Sequence, residues 1–176
     1  MTKPVENPMQ PAEPGGGVPS AGQWNALHDR STPWPMGWGE KLLLGFVSLA
    51  LVAAFALLAF WTHPDPRGLG THEQLGLAPC GWLLGKGYPC PTCGCTTAAS
   101  LIVHLRPIDA FVAQPFGALL ALAALAFVVL ALMHIVRGRS LMARLAFWPW
   151  GRILLLSGVV LLGSWWYVVE TWPHAH

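Results

Sequence analysis

The sequence predicts an all-α integral membrane protein. Three transmembrane helices are joined by a cysteine-containing outer loop with short interfacial helices. Three observations predict this. Of 176 residues, 54% are hydrophobic and only 10% are charged, whereas an ordinary soluble domain carries about 25% charged residues. Three segments reach the roughly 17–25 apolar residues that cross a bilayer. Ten tryptophans cluster near the ends of those segments, as amphipathic rings do at a water–lipid interface. The net charge of +2 and the lack of a basic run exclude nucleic acid as an expected partner.

The chain divides in order. Residues 1–40 form a polar tail rich in proline and glycine, as in Pro11-Ala12-Glu13-Pro14-Gly15-Gly16-Gly17. Such a segment buries too little apolar surface to offset ordering entropy, so disorder is expected. The first apolar run lies far from residue 1, which predicts an uncleaved anchor rather than a signal peptide. Transmembrane helix 1 is expected over 41–61, with no charge from Leu42 to Trp61. Residues 62–115 form the outer connection. Within it Thr97 to Leu105 is apolar but too short to span, and Pro107 stops it and starts another short helix. One or two short helices are expected there, lying at the interface or tucked back into the bundle. Transmembrane helix 2 is expected over 116–136, a basic loop over 137–152, transmembrane helix 3 over 153–169, and a short tail over 170–176.

Orientation follows from Lys and Arg near the helix ends. Arg137, Arg139, Arg144 and Arg152 crowd the 137–152 loop, which places it in the cytoplasm. The N-terminus is then cytoplasmic, and the 62–115 connection and the C-terminal tail face outward. The expected localisation is an inner (cytoplasmic) membrane, with the lipid bilayer as partner. Small residues in helix 2 (Gly117, Ala118, Ala121, Ala124) and helix 3 (Gly158, Gly163, Ser164) permit close packing, within the chain or against other membrane subunits or a second copy.

The chemistry concentrates at Cys80, Cys90, Cys93 and Cys95, spaced C-x9-C-x2-C-x-C. The Cys90–Cys93 gap lets both sulfurs reach one centre. Pro91 restricts the turn and Gly94 frees it, and Thr96 or Thr97 is placed to cap the helix that follows. A thiolate just before a helix N-terminus is expected to have a lowered pKa. Four readings remain open. The four sulfurs can hold a metal, zinc or an iron–sulfur centre, with His72 or His104 replacing one of them. Cys80 can form a structural disulfide with Cys90 or Cys93, which an oxidising outer face permits. Cys90 and Cys93 can form a thiol–disulfide exchange pair, although no alternating strand pattern surrounds them. The cysteines can also be inert and buried.

Other residues point to blander roles. His104 reads as a satisfied interfacial histidine, and His134 lies near the cytoplasmic end of helix 2. His63 and His72 flank a Pro/Gly-rich turn, and His174 and His176 form a weak tail signal. Asp109 reads as a cap of the helix after Pro107. No carboxylate pair, Ser-His-Asp set, phosphate loop or HExxH is present, and no ionisable residue sits mid-span as transporters usually require. The expected protein is therefore a non-enzymatic scaffold or accessory subunit. Its alternative is a membrane thiol–disulfide oxidoreductase using Cys90 and Cys93.

The stretch from Cys80 through Leu84 and Gly85 to Tyr88-Pro89-Cys90-Pro91-Thr92-Cys93-Gly94, with Thr96, Ala98, Asp109, Ala110 and Pro115, resembles a bacterial membrane domain of unknown function. That family is built around a Cys-Pro-x-Cys-Gly-x-Thr-Arg core. The resemblance covers about residues 78–135. Thr97 stands where the family usually has Arg, and Cys95 where an apolar residue is common. The resemblance implies a membrane setting and no particular activity.

Overall fold

The computed structural model describes residues 35–172. Most of the tail expected to be disordered, and His174 and His176, lie outside the described residues. Seven α-helices run through the described chain: α1 (Trp38–Trp61), α2 (Gly81–Lys86), α3 (Cys95–Val103), α4 (Pro107–Ala113), α5 (Pro115–Arg137), α6 (Leu141–Ala146) and α7 (Trp150–Thr171), with a 3-10 turn at Thr71–Leu75. Among the described residues there is no strand, only an isolated bridge between Pro35 and Arg139.

Three helices are long and apolar enough to cross a membrane: α1 with 24 residues, α5 with 23 and α7 with 22. At 1.5 Å per residue each exceeds about 30 Å, the thickness of a hydrocarbon core. They bury little of themselves, between 11% and 17% of their most apolar windows. Leu42, Phe46, Leu155 and Trp166 are all about 70% exposed. Side chains of this kind, laid bare over three helices, need an apolar surrounding rather than water.

Local chemistry sets the helix boundaries. Gln114 caps α5 by accepting from Gly117 N at 2.8 Å, and Pro115 takes the first position, where no backbone donor is needed. Ser140 caps α6 by accepting from Ala143 N at 3.0 Å. Neither Thr96 nor Thr97 caps α3, contrary to expectation. The cap position is Gly94, at φ +90°, with no side-chain bond. A side chain there would also meet Gly68 O at 3.0 Å and Gln114 Cγ at 3.1 Å, so only glycine suits both the dihedral and the space. Asp109 likewise makes no cap bond to the start of α4. It pairs with Arg106 Nε at 2.7 Å.

The helix α5 is the hub and packs on α1, α3, α4 and α7. Its first half meets α3 and α4 through alanines and two larger aliphatic residues: Ala98, Leu101, Ile102, Ala110, Ala118 and Ala121 form one buried cluster. Close approach is the gain. A Cβ added at Gly117 would lie 2.7 Å from Cys95 Cα, so the start of α3 rests directly on the α5 backbone. Gly117→Ala is therefore expected to force the two helices apart, at a cost of about 1–3 kcal/mol. A melting curve in detergent checks this, and an unchanged midpoint would contradict it.

A second cluster of Met36, Leu44, Ala131 and Leu141 ties the start of α1 to the end of α5 and to α6. Met36 N donates to Gly138 O at 3.0 Å, and Met142 N donates to Glu40 at 2.8 Å. The basic 137–152 connection thus shares one end of the molecule with the start of α1. The cysteine-bearing connection lies at the other end, between the close of α1 and the start of α5.

Candidate functional site

The 62–115 connection is held by polar contacts, of which the Thr62–Ser100 and Thr71–Thr97 pairs are buried. Thr62 donates to Leu58 O at 2.8 Å and meets Ser100 Oγ at 3.3 Å. Thr71 Oγ1 accepts from Asp65 N at 3.1 Å and pairs with Thr97 Oγ1 at 2.8 Å. Thr71, Thr97 and Ser100 are fully buried. The Thr71–Thr97 bond pins the 3-10 turn onto α3. Gln74 then clamps the turn to the end of α1, donating to His63 O at 2.8 Å and accepting from His63 N at 2.9 Å. Buried polar atoms satisfied in this way fix one arrangement, because any rearrangement would leave a donor orphaned.

Against this frame sits the Tyr88–Gly94 loop, anchored from two other helices. Trp165 of α7 donates from Nε1 to Pro89 O at 2.9 Å. Gln114, fully buried, donates from Nε2 to Pro91 O at 3.2 Å. Gln114 Oε1 also accepts from Ser164 Oγ at 2.9 Å, and Ser164 Oγ accepts from Phe116 N at 3.1 Å. The loop carrying Cys90 and Cys93 is therefore tied to both α5 and α7. Within the loop, Cys93 N bonds Cys90 O at 3.0 Å, which folds the two cysteines toward each other.

Three sulfurs converge. The Sγ atoms of Cys80, Cys90 and Cys93 lie within 4.8 Å of one another. Cys90 Sγ is 3.0 Å from Cys93 Sγ and 3.5 Å from Thr92 Oγ1. All four cysteines are free thiols, so no disulfide joins Cys80 to Cys90 or Cys93 in this structure. A bonded pair would stand at about 2.05 Å. Cys95 points elsewhere. As the first residue of α3 it packs on α5, with Sγ 3.2 Å from where a Gly117 side chain would begin. The sequence-level set of four sulfurs is thus gathered as three, with Cys95 on the helix contact.

The three sulfurs open on a cavity of about 270 Å³, also lined by His72, Glu73, Leu83, Thr96 and Thr97. His104 is not on its wall. Its Nδ1 is engaged with Ser100 O at 2.7 Å, and its ring lies 6.3 Å from that of His63, so it behaves as a satisfied structural histidine. Glu73 accepts from Arg67 at 3.3 Å, and Arg67 also pairs with Asp65 at 2.8 Å.

The thiols differ in acidity. Burial acts to raise Cys90, but hydrogen bonds from Cys93, from Thr92 and from Cys80 outweigh it and bring the thiol down to about 7. Burial raises Cys93 well above the usual thiol range, and donation to Cys90 adds to the effect. Cys95 is raised to about 11 by burial and by the nearby Cys90 charge. Metal-free protein should therefore react first at Cys90, because the thiolate is the nucleophile. Its maleimide rate is expected to climb with pH through about 7 and level off above it, as thiolate formation completes. Peptide mapping over a pH series checks this. A Cys90 rate still climbing steeply through pH 8–9, as for an ordinary thiol, would contradict it.

Sequence reasoning found the cysteines and weighed His72. It missed Gln114, the hydrogen bonds of Ser164, which it read only as a small packing residue, and the bond from Trp165 to the loop. In the sequence Trp165 is one of the tryptophans near the end of a span, and nothing in the apolar run of α7 signals that its indole reaches Pro89. No curated protein and no solved structure matches the chain. Residues 80–129, which hold all four cysteines and the first part of α5, match the family described as a protein of unknown function, DUF2752.

Proposed function

We propose that this chain is an integral membrane protein whose outer connection is organised by a thiolate-bound metal ion at Cys80, Cys90 and Cys93. The observation that carries this reading is the convergence of three sulfurs from two separate segments on one cavity. A tetrahedral zinc with Zn–S bonds of about 2.3 Å separates its sulfurs by about 3.8 Å. The three sulfurs stand within 4.8 Å, so sub-ångström to ångström side-chain adjustments suffice. A Cys90 thiol already near half-ionised at neutral pH suits a site that binds thiolates.

In this reading the protein is a scaffold or accessory subunit rather than an enzyme. Helices α1, α5 and α7 span a bacterial inner membrane, with the N-terminus and the basic connection in the cytoplasm and the cysteine site outside. Arg137, Arg139, Arg144 and Arg152 support that orientation. The thinly buried spans leave room for a second copy or another membrane subunit beside the lipid.

The test is zinc retention by single Cys→Ser variants after dialysis. Loss of bound zinc is expected for Cys80, Cys90 and Cys93, and retention for Cys95. Equal retention by all four variants would defeat the assignment.

One observation favours a second reading. The pairing of an acidic, half-buried Cys90 with a buried, weakly acidic Cys93 suits thiol–disulfide exchange. The Cys90 thiolate would attack a substrate disulfide, forming a mixed disulfide and releasing one substrate thiolate. Cys93, giving up its proton, would then attack Cys90 Sγ, leaving a Cys90–Cys93 disulfide and a fully reduced substrate. This reading gives Cys80 no role.

A further inference from the structure

Three thiolates leave one corner of a tetrahedral ion open, and the cavity contains few groups able to fill it. We infer that the ion is zinc and that the imidazole of His72 is its fourth ligand, closing Cys80, Cys90 and Cys93 into a Cys3His site. The inference rests on the metal reading above and specifies its donor set.

The assignment follows by comparing the donors on the cavity wall. Thr97 Oγ1 is committed to Thr71. Thr92 Oγ1 is turned toward Cys90 Sγ. Glu73 is paired with Arg67. His72 stands on the cavity wall, and its ring, among the described residues, makes no hydrogen bond and no ion pair. The 4.8 Å grouping of the three sulfurs does not extend to its nitrogens, so a side-chain rotation must bring the ring to the ion. A half-buried imidazole with two unpaired nitrogens, on the wall of a cavity that three sulfurs share, suits a borderline-soft cation. The other candidates are spoken for. The Sγ of Cys95 packs against α5 at Gly117, and Nδ1 of His104 is bonded to Ser100 O.

The backbone delivers His72 on a fixed element. The 3-10 turn that carries it is pinned by Thr71 to Thr97 and by Gln74 to His63. An iron–sulfur cluster is the poorer fit, because the common all-cysteine clusters take four thiolates and only three are gathered. A Cys3His zinc has no open position, so its role is to cross-link rather than to activate water. It would tie three segments of the outer connection together: the 3-10 turn, the chain entering α2, and the Cys90–Cys93 loop.

Cobalt substitution of the full-length protein in detergent tests this, because thiolate-to-cobalt absorption scales with the number of thiolates. The wild type is expected to show a tetrahedral spectrum with three-thiolate intensity. His72→Cys should keep one cobalt and raise the charge-transfer band by about one third, as four thiolates replace three. His72→Ala should weaken cobalt binding by at least ~10-fold and shift the visible bands as water takes the fourth corner. Cys95→Ser should match the wild type. A wild-type spectrum of four-thiolate intensity that falls in Cys95→Ser would overturn the His72 assignment while leaving the metal site standing. A His72→Ala protein with wild-type affinity and spectrum would do the same. No cobalt or zinc bound by the wild type would overturn both.

Discussion

Cys93→Ser is expected to abolish metal binding and to lower the melting midpoint by about 10 °C or more. Each kcal/mol shifts a domain of this size by about 2–4 °C, and a structural zinc supplies several kcal/mol of folding free energy. Cys93 is the buried member of the sulfur triad. Serine there offers a poor ligand and leaves Cys80 and Cys90 as the two remaining sulfurs of the triad. The 62–115 connection would then depend on its threonine contacts, the Gln74 clamp and the Trp165 and Gln114 bonds. Cys95→Ser removes a half-buried sulfur from the α3–α5 contact and is the control, with a small shift and full zinc content expected. Differential scanning fluorimetry with parallel zinc analysis reads both outcomes. The exchange reading predicts otherwise: Cys93→Ser would stay folded and accumulate mixed disulfides through Cys90. A stable variant with trapped partners would therefore reject the structural role of the site.

The second large effect belongs to a residue without a reactive group. Gln114→Leu keeps the approximate volume and removes every polar contact of a fully buried side chain. Three partners are affected at once. Gly117 N loses its acceptor, and α5 its cap with it, Ser164 Oγ loses the oxygen it donates to, and Pro91 O loses its donor. Each buried group left unsatisfied costs about 1–3 kcal/mol, so a total of roughly 2–4 kcal/mol is expected once Ser164 finds another partner. The consequence is also local to the site. Pro91 sits between Cys90 and Cys93, so the freed loop should hold metal less tightly. Weaker zinc affinity together with a lower melting midpoint is the expected pair of results. A destabilised protein with unchanged zinc affinity would separate the Gln114 network from the site and contradict the coupling.

The long helices were legible because their signal is local. An uncharged run such as Leu42 to Trp61 carries its own evidence of length and apolarity. The short helices at Cys95–Val103 and Pro107–Ala113 were legible for the same reason, through the apolar run after Thr97 and the stop at Pro107. The 3-10 turn and α2 were not. Their glycine-rich sequence, from Gly68 to Gly87, has no hydrophobic period, and its conformation is set by partners distant in the chain. The site shows the same division. Clustering in sequence located the cysteines, but it could not show that Cys95, two residues from Cys93, is carried away by the first turn of α3. Helical geometry decides this: Cys95 opens the helix and faces α5, while Cys93 stays in the loop. The capping roles assigned to Thr97 and Asp109 failed for a related reason. Each found a stronger partner elsewhere, Thr97 in Thr71 and Asp109 in Arg106.

The central claim is that three convergent thiolates hold a metal ion. It is tested most directly by the metal-to-protein ratio of the chain purified anaerobically in mild detergent. About one zinc per chain is predicted, with Cys80, Cys90 and Cys93 shielded from maleimide until a chelator is added. Protein that carries no zinc or iron, takes up none when titrated, and exposes Cys90 to maleimide throughout would contradict it.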